Sequence, residues 1–370
     1  MSLAGVWLTL AAAAPLAGSA AADPDVEYVV RLAVVRGAPE VRVRAEGLRV
    51  LDADVRDVLL RGADQELSLR PEGEGIRVSG VRHRPAGVLL ASRGPIRVDG
   101  RSLVGELEVS LEKGRGLLVV NRLPLERYLE GLLGAEMSSS WPLEALKAQA
   151  VAARTYFLHR RLEREAEPFD LSATTLDQVY KGIGQEAART RQAVEATRGE
   201  VLTWGNLPAE TLFHACCGGR TRAASAAFGQ DVPYLREVDD PDCQACPQRV
   251  WSVSLPLERL AERLAARGEL RGAIAEVRAA PGGELVVVPA QGGRLQLSPR
   301  RLRQLVGAAT IPGDDFTWSR EGQALELRGR GRGHGVGLCQ WGARGMAERG
   351  LGYRDILARF YPGLSLRSLF

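Results

Sequence analysis

Asn121-Arg-Leu-Pro-Leu-Glu-Arg-Tyr-Leu-Glu-Gly-Leu-Leu-Gly-Ala-Glu136 is where the chain changes character. Leu125, Leu129, Leu132 and Leu133 recur at i, i+4, i+7 and i+8, the period of a helix with one apolar stripe. Ser138-Ser-Ser-Trp-Pro142 interrupts that helix, with a serine available as a cap and Pro142 suited to the first turn of the next one. A second helix is expected from Pro142 to about Arg161, with its buried face marked by Leu143, Leu146, Ala150, Ala153 and Phe157. Two helices therefore meet at the loop after Glu136. At about 100° per residue, Glu136 returns to within roughly 20° of Leu125, so it faces the apolar side. A carboxylate at the end of such a face is partly desolvated and holds its proton more readily, as a general acid must. The same spacing fits equally well a Glu136 that caps its helix or pairs with a neighbour such as Arg154.

Upstream, residues 23–115 read differently. Short runs such as Val41-Arg-Val-Arg44, Leu67-Ser-Leu69 and Leu107-Glu-Val109 alternate apolar and polar positions between glycines, which means strands. Downstream, a third helix is expected from Gln185 to Thr197, then strands at 200–204 and 209–214. A helix follows at 256–267, strand pattern at 269–297, and a serine-capped helix from Ser298. The chain closes with a strand at 324–328, a glycine-rich loop at 329–337, a helix from Trp341 to Glu348 and a last one near 353–360. Strands and helices that segregate in this way predict an α+β fold, a β-rich N-terminal region followed by a mixed domain over 116–368.

Composition narrows the function classes. The 370 residues are 45% apolar and 25% charged, enough for one large core or two ordinary ones. A net charge of +4, with basic residues spread along the chain, gives no basis for a nucleic-acid partner. Residues 1–22 form an apolar stretch ending in Ala20-Ala-Ala22 and resemble a secretory signal, although no basic residue precedes the apolar run. Export to a periplasm or cell wall is the expectation. Contact with the membrane is expected only through an uncleaved signal, because Pro15 and Gly18 break the run and leave it short for a spanning helix.

Two further clusters carry chemistry. In Gly331-Arg-Gly-His-Gly-Val-Gly-Leu-Cys-Gln-Trp-Gly-Ala343, glycines at alternate positions let the backbone approach a ligand, His334 and Gln340 offer polar groups, and Trp341 offers a stacking face. A tight strand-to-helix turn would use the same glycines, and the phosphate-loop pattern is absent. In Phe213-His-Ala-Cys-Cys-Gly-Gly219 with Asp242-Cys-Gln-Ala-Cys246, His214 and the cysteines could hold a tetrahedral zinc. The alternative, which export favours, is one or two disulfides linking Cys216 and Cys217 to Cys243 and Cys246. Cys339, alone in a helical run, reads as a small buried hydrophobe.

Together these motifs resemble the sporulation stage II protein D (SpoIID/LytB) family. The resemblance rests on Asn121 to Met137, Ser140-Trp-Pro to Tyr156, Asp177-Gln-Val-Tyr-Lys-Gly182, Ala193 to Leu202, Phe213-His-Ala215, Gly333 to Ala343, Tyr353-Arg-Asp-Ile-Leu357 and Tyr361-Pro-Gly363, in the family's order. It implies a lytic transglycosylase that cuts peptidoglycan glycan strands stripped of stem peptides, with Glu136 as its one catalytic acid. By motif position it implies Arg154, Gln178, Tyr180, His214, His334 and Gln340 as cleft residues, with Arg154 and Gln178 holding the sugar or Glu136. It also implies an alternative, since LytB-type relatives modify a partner cell-wall amidase. Some members bind zinc near the His-containing hairpin and others do not, so the resemblance fixes no cofactor here and leaves a structural zinc open.

Overall fold

The computed structural model describes residues 28–369, apart from residues 83, 113, 174–181 and 183–186. The expected leader therefore lies outside the described residues, and so do Gln178 and Tyr180.

The N-terminal strands build two sheets. One runs in the order Leu171–Ser172, Val29–Ala38, Gly116–Pro124, Glu106–Glu112, Gly87–Ala91, Leu48–Asp52 and Val58–Ala63. The other runs Gly75–Val78, Leu67–Glu72, Val41–Arg44, Ile96–Val98 and Arg101–Leu103. In Val41–Arg44 the valines are buried and the arginines exposed, as a strand with one wet face requires. Val41, Leu67 and Ile76 of one sheet share a core with Leu48, Val88, Leu107 and Val119 of the other. Gly116–Pro124 belongs by sequence to the second region, yet it pairs with Val29–Ala38 on one side and Glu106–Glu112 on the other. The two regions thus share a sheet, and Pro124 leads straight into the first helix.

The helices among the described residues are α1 (Leu125–Glu136), α2 (Leu143–Glu163), α3 (Ala188–Ala196), α4 (Ala224–Phe228), α5 (Leu257–Ala265), α6 (Pro299–Val306), α7 (Gln340–Glu348) and α8 (Tyr353–Phe360). Mixed with the strands they make an α+β fold, as expected. Around α2 pack α1, α3, α7, α8 and the strand Glu200–Trp204. The sequence predicts one buried face on α2. The structure instead buries it all round between Ala145 and Leu158, because alanines at 145, 148, 150, 152 and 153 keep the helix thin enough for neighbours on every side. Pro142 takes the N-cap position of α2, and the serine hydroxyls stay in the loop, where Ser138 accepts the Ser140 amide.

Arg154 lies at the centre of α2 and is fully buried. Its Nε and Nη2 donate to the two carboxylate oxygens of Glu126 at 2.9 and 2.7 Å, and Nη1 donates to the Glu200 carbonyl at 3.1 Å. This corrects the assignment of Arg154 to a cleft: its partner is Glu126, about three turns up α1 from Glu136, and water does not reach it. The guanidinium ties α2 to α1 and to the strand at Glu200.

The segment 250–330 has a core of its own. Val250–Pro256, Ala324–Arg330 and Asp315–Glu321 form one three-stranded sheet, and Ile274–Ala279, Leu285–Pro289 and Leu295–Leu297 form another. With α5 and α6 they enclose Leu255, Leu260, Leu264, Leu302 and Leu327. Of the strand expected at 209–214 only Phe213–His214 forms, and a separate two-residue strand, Leu207–Pro208, precedes it. Between them neighbouring strands supply only isolated bonds, Ala209 amide to Leu202 carbonyl at 3.0 Å and Leu338 amide to Leu212 carbonyl at 3.1 Å, and side chains add others: the Glu210 amide donates to the Tyr234 hydroxyl at 2.8 Å, and the Leu212 carbonyl accepts from Tyr361 at 2.7 Å.

Removing one partner from a buried ion pair leaves the other uncompensated. Arg154→Ala is therefore expected to lower stability by ~3–5 kcal/mol, read from the urea midpoint. Arg154→Lys should recover only part of the loss, because an ammonium cannot span both carboxylate oxygens. A loss below ~1 kcal/mol, the range of exposed pairs, would contradict this role.

Candidate functional site

Glu136 is the last residue of α1 and is half-buried. The loop that follows carries Trp141, whose ring meets Trp341 at the start of α7 edge-on, with centroids 4.9 Å apart. The Arg344 guanidinium lies 5.4 Å from the Trp141 ring and 4.9 Å from the Trp341 ring, and its Nε donates to Glu348 at 2.7 Å. One residue before Trp341, the Gln340 side chain reaches back to Gln149 of α2 at 3.4 Å. The Glu136 loop is thereby held against the segment that carries the glycine-rich motif. Neither Trp141, Arg344 nor Gln149 stood out in the sequence, because each acquires its role from a partner nearly 200 residues away.

The glycine-rich loop approaches through a short parallel pairing of Phe213–His214 with Leu338–Cys339. Gly337 makes that approach work. Its φ is +71°, and a Cβ there would lie 2.0 Å from the Leu212 carbonyl oxygen, so both conformation and space select glycine. In the turn before it, His334 Nε2 donates to the Phe213 carbonyl at 2.9 Å and Nδ1 accepts the Val336 amide at 3.2 Å. Both ring nitrogens are used by a neutral ring, and burial followed by the neighbouring His214 ring holds its pKa down at about 3. His214 donates from Nδ1 to the Val336 carbonyl at 3.1 Å, while its buried Nε2 has no partner among the described residues. Burial lowers the His214 pKa to about 4.

Of the expected cleft residues that the structure describes, Glu136 and His334 are half-buried, whereas His214 and Gln340 are each 4% exposed. The last two hold the frame around the loop. They do not line an open surface.

The cysteines correct two expectations. All five are buried free thiols, and Cys217 and Cys243, which belong to the two groups expected to be linked by disulfides, have sulfurs 3.6 Å apart. Cys339 is not alone. One ligand atom from each of Cys217, Asp240, Cys243 and Cys339 falls within 4.8 Å of all the others. The sequence concealed this grouping because its members come from three segments, and Asp240 carries no signal beyond its i, i+3 spacing from Cys243.

A family model described as stage II sporulation protein matches residues 113–204. An uncharacterized protein of Brachyspira hyodysenteriae is 33% identical over 296 residues, covering 79% of each chain. The stage II sporulation protein D of Bacillus subtilis is 29% identical over 262 residues, 67% of this chain and 75% of that protein. The amidase enhancer of the same species is 28% identical over 294 residues, 65% of this chain and 40% of that protein.

The neutral His334 gives a pH dependence with a definite sign. Its folded pKa of about 3 lies below the unfolded value of 6.5, so between those values the unfolded chain binds the extra proton. Its contribution is fully present above pH 6.5 and is lost as pH falls toward 3. The expected slope is about 1.4 kcal/mol per pH unit for one such proton. Chemical denaturation of wild type and His334→Gln between about pH 7 and 4 should show a shallower decline in the variant. Parallel declines would contradict a neutral, buried ring.

Proposed function

The chain belongs to the stage II sporulation protein D (SpoIID/LytB) family, and from that premise we propose that it is an exported peptidoglycan lytic transglycosylase. Its substrate on this reading is a glycan strand, and the bond cut is the one from N-acetylmuramic acid to N-acetylglucosamine. Membership already implies a cell-wall role. The observation that carries the finer reading is the position of Glu136, a half-buried carboxyl at the end of α1 on the loop that Trp141 and Trp341 join to the glycine-rich motif.

Two physical features favour that carboxyl as an acid. It stands at the C-terminal end of a helix, where the macrodipole disfavours a negative charge by about 0.3–1 kcal/mol at exposed positions. It is also partly withdrawn from water, which acts in the same direction. In the first half of the reaction Glu136 gives its proton to the glycosidic oxygen as the bond to C1 breaks. In the second, the muramyl 6-hydroxyl oxygen bonds to C1 and its proton returns to the Glu136 carboxylate. No water is consumed, and the product ends in a 1,6-anhydro ring. A second carboxylate to activate water or attack C1, as in ordinary glycoside hydrolysis, is not needed. The next acid along the chain, Glu144, binds Lys147 at 2.7 Å and the Tyr353 amide at 2.9 Å. The Trp141 and Trp341 rings offer apolar faces of the kind on which sugars stack.

A second reading follows from the amidase enhancer relative: the chain binds glycan and stimulates a cell-wall amidase without cutting the strand. Export rests on residues 1–22. Among the described residues no helix is long and apolar enough to cross a membrane.

Incubation of the purified protein with glycan strands freed of stem peptides, read by mass spectrometry, separates these readings. The transglycosylase reading expects anhydro-muramyl ends that fall by at least about 100-fold in Glu136→Gln, with the melting temperature unchanged. Reducing-end products without the anhydro ring would refute a lone-acid mechanism. Glycan binding without any cleavage would favour the amidase partner.

A further inference from the structure

Three segments far apart in the chain bury sulfur at one point. Cys216 and Cys217 follow the strand Phe213–His214. Asp240, Cys243 and Cys246 frame the 3-10 turn Pro241–Ala245, and Cys339 is the N-cap of α7. Each of the six side chains is no more than 6% exposed. Within this group Cys217 Sγ lies 3.6 Å from Cys243 Sγ and 3.1 Å from Asp240 Oδ2. The Cys216 thiol interacts with Cys243, Cys246 and Cys339.

Backbone amides point at two of these sulfurs. Cys339 Sγ accepts two backbone amides, from Cys217 and Gly342, each at 3.3 Å, and Cys217 Sγ accepts the Gly219 amide at 3.4 Å. Asp240 accepts from the Asp242 amide at 3.2 Å and from Cys217, and among the described residues no arginine or lysine pairs with it. Thiols and a carboxyl thus share one dry volume, a donor set whose charged forms are tolerated there only when paired or holding a metal.

Geometry separates the candidate occupants. A tetrahedral zinc with sulfurs at about 2.3 Å sets them about 3.8 Å apart. The 3.6 Å between Cys217 and Cys243 is close to that edge, and the remaining ligand atoms, within 4.8 Å of one another, need to close by about an ångström at most. A disulfide needs sulfurs about 2.05 Å apart, and five cysteines would leave one unpaired. Thiolates with a carboxylate select zinc over magnesium or calcium.

We infer that Cys217, Asp240, Cys243 and Cys339 form a closed, structural site for a thiophilic divalent cation, zinc foremost. The cation staples the loop behind His214, the 240–246 turn and the start of α7 into one unit. His214 is outside the set, its Nδ1 being committed to Val336. Two glycines make the contact close enough: a Cβ at Gly342 would lie 2.2 Å from Asp240 Oδ2, and one at Gly345 would lie 2.2 Å from the Asp242 carbonyl oxygen. With four protein ligands no position is left for a reacting water, so the site is mechanical. It excludes a zinc hydrolase at these residues, and it stands independently of the glycan-cleaving reading.

The test uses the full chain, purified under reducing conditions and supplied with zinc alone. Elemental analysis is expected to give about one zinc per chain. Cobalt(II) in its place should give thiolate-to-cobalt charge transfer with tetrahedral d–d bands. Changes in outer-shell residues alone cost about 10–100-fold in metal affinity, so Cys339→Ser is expected to cost more than about 100-fold and Asp240→Asn at least about tenfold. Asp240→Asn should leave the charge-transfer band in place. Cys246→Ser should keep both metal and band. Circular dichroism checks that each variant folds, and on the wild type a chelator should lower the melting temperature and added zinc restore it. A folded, reduced chain that takes up no zinc overturns the proposal, as does a metal-free chain whose mass shows its cysteines paired. Metal lost in Cys246→Ser but held unchanged in Asp240→Asn overturns the assignment of Asp240.

Discussion

A guanidinium cut off from water must find every acceptor it needs in its neighbours, and Arg154 at the centre of α2 imposes that demand on the fold. Glu126 answers it from α1, and the Glu200 carbonyl answers it from the strand Glu200–Trp204. Other polar groups on the same helix act alike. Thr155 accepts the Leu202 amide at 2.9 Å, and the Ala152 carbonyl accepts Thr211 at 2.8 Å. Apolar packing alone would let neighbours slide along an alanine-rich helix. These bonds fix the heights at which they pack, because each unmade bond would cost the full desolvation of a buried group. The position of α1, and so of Glu136 at its end, is a consequence of this polar spine.

The segment 250–330 shows how the site tolerates a large excursion of the chain. The chain leaves the cysteine cluster after Cys246 and returns at Gly331, whose amide donates to the Arg249 carbonyl at 3.0 Å. The Trp251 indole donates to the Gly331 carbonyl at 2.8 Å. Exit and entry are therefore stitched together at their base. The excursion closes on its own leucine core, and it also braces the glycine-rich loop that Phe213–His214 pairs with: the Gly333 amide donates to the Pro312 carbonyl at 3.0 Å, and the Asp314 amide donates to the Gly333 carbonyl at 3.1 Å.

Much of this was legible in the sequence wherever one element's periodicity decided the matter. The helices α1, α7 and α8 and the alternation of Val41–Arg44 follow from local spacing. The failures share a cause. Spacing said that Glu136 faces an apolar side, yet it could not say which carboxylate Arg154 would meet, since helical phase fixes direction and leaves the partner open. The strand expected through 209–212 keeps only isolated backbone bonds and takes others from the hydroxyls of Tyr234 and Tyr361, which no local pattern announces. Cys339 looked solitary because its companions lie about 100 residues upstream. The all-round burial of α2 was hidden for a related reason: alanine is compatible with either a wet or a dry face, and tertiary packing makes the choice.

The chemistry and the architecture place different demands on the same residues. A carboxyl that both gives and takes back a proton must stay near water and substrate, while the loop that carries it must not move by even an ångström, since misplacement of reacting groups on that scale costs orders of magnitude in rate. Those requirements conflict on a flexible loop. Here they are divided between neighbours. Glu136 keeps its half-buried position at a helix end, and rigidity comes from outside it, through the Trp141–Trp341 contact, the Gln149–Gln340 bond and the buried thiol cluster at the root of α7. Even the two histidines fit this division. Each commits a nitrogen to a backbone carbonyl and is held neutral by its surroundings, so they brace the glycine-rich loop. On the proposed reading a cation among the cysteines would serve the reaction without touching it, by fixing the N-terminus of α7 and with it Trp341 and the Glu136 loop.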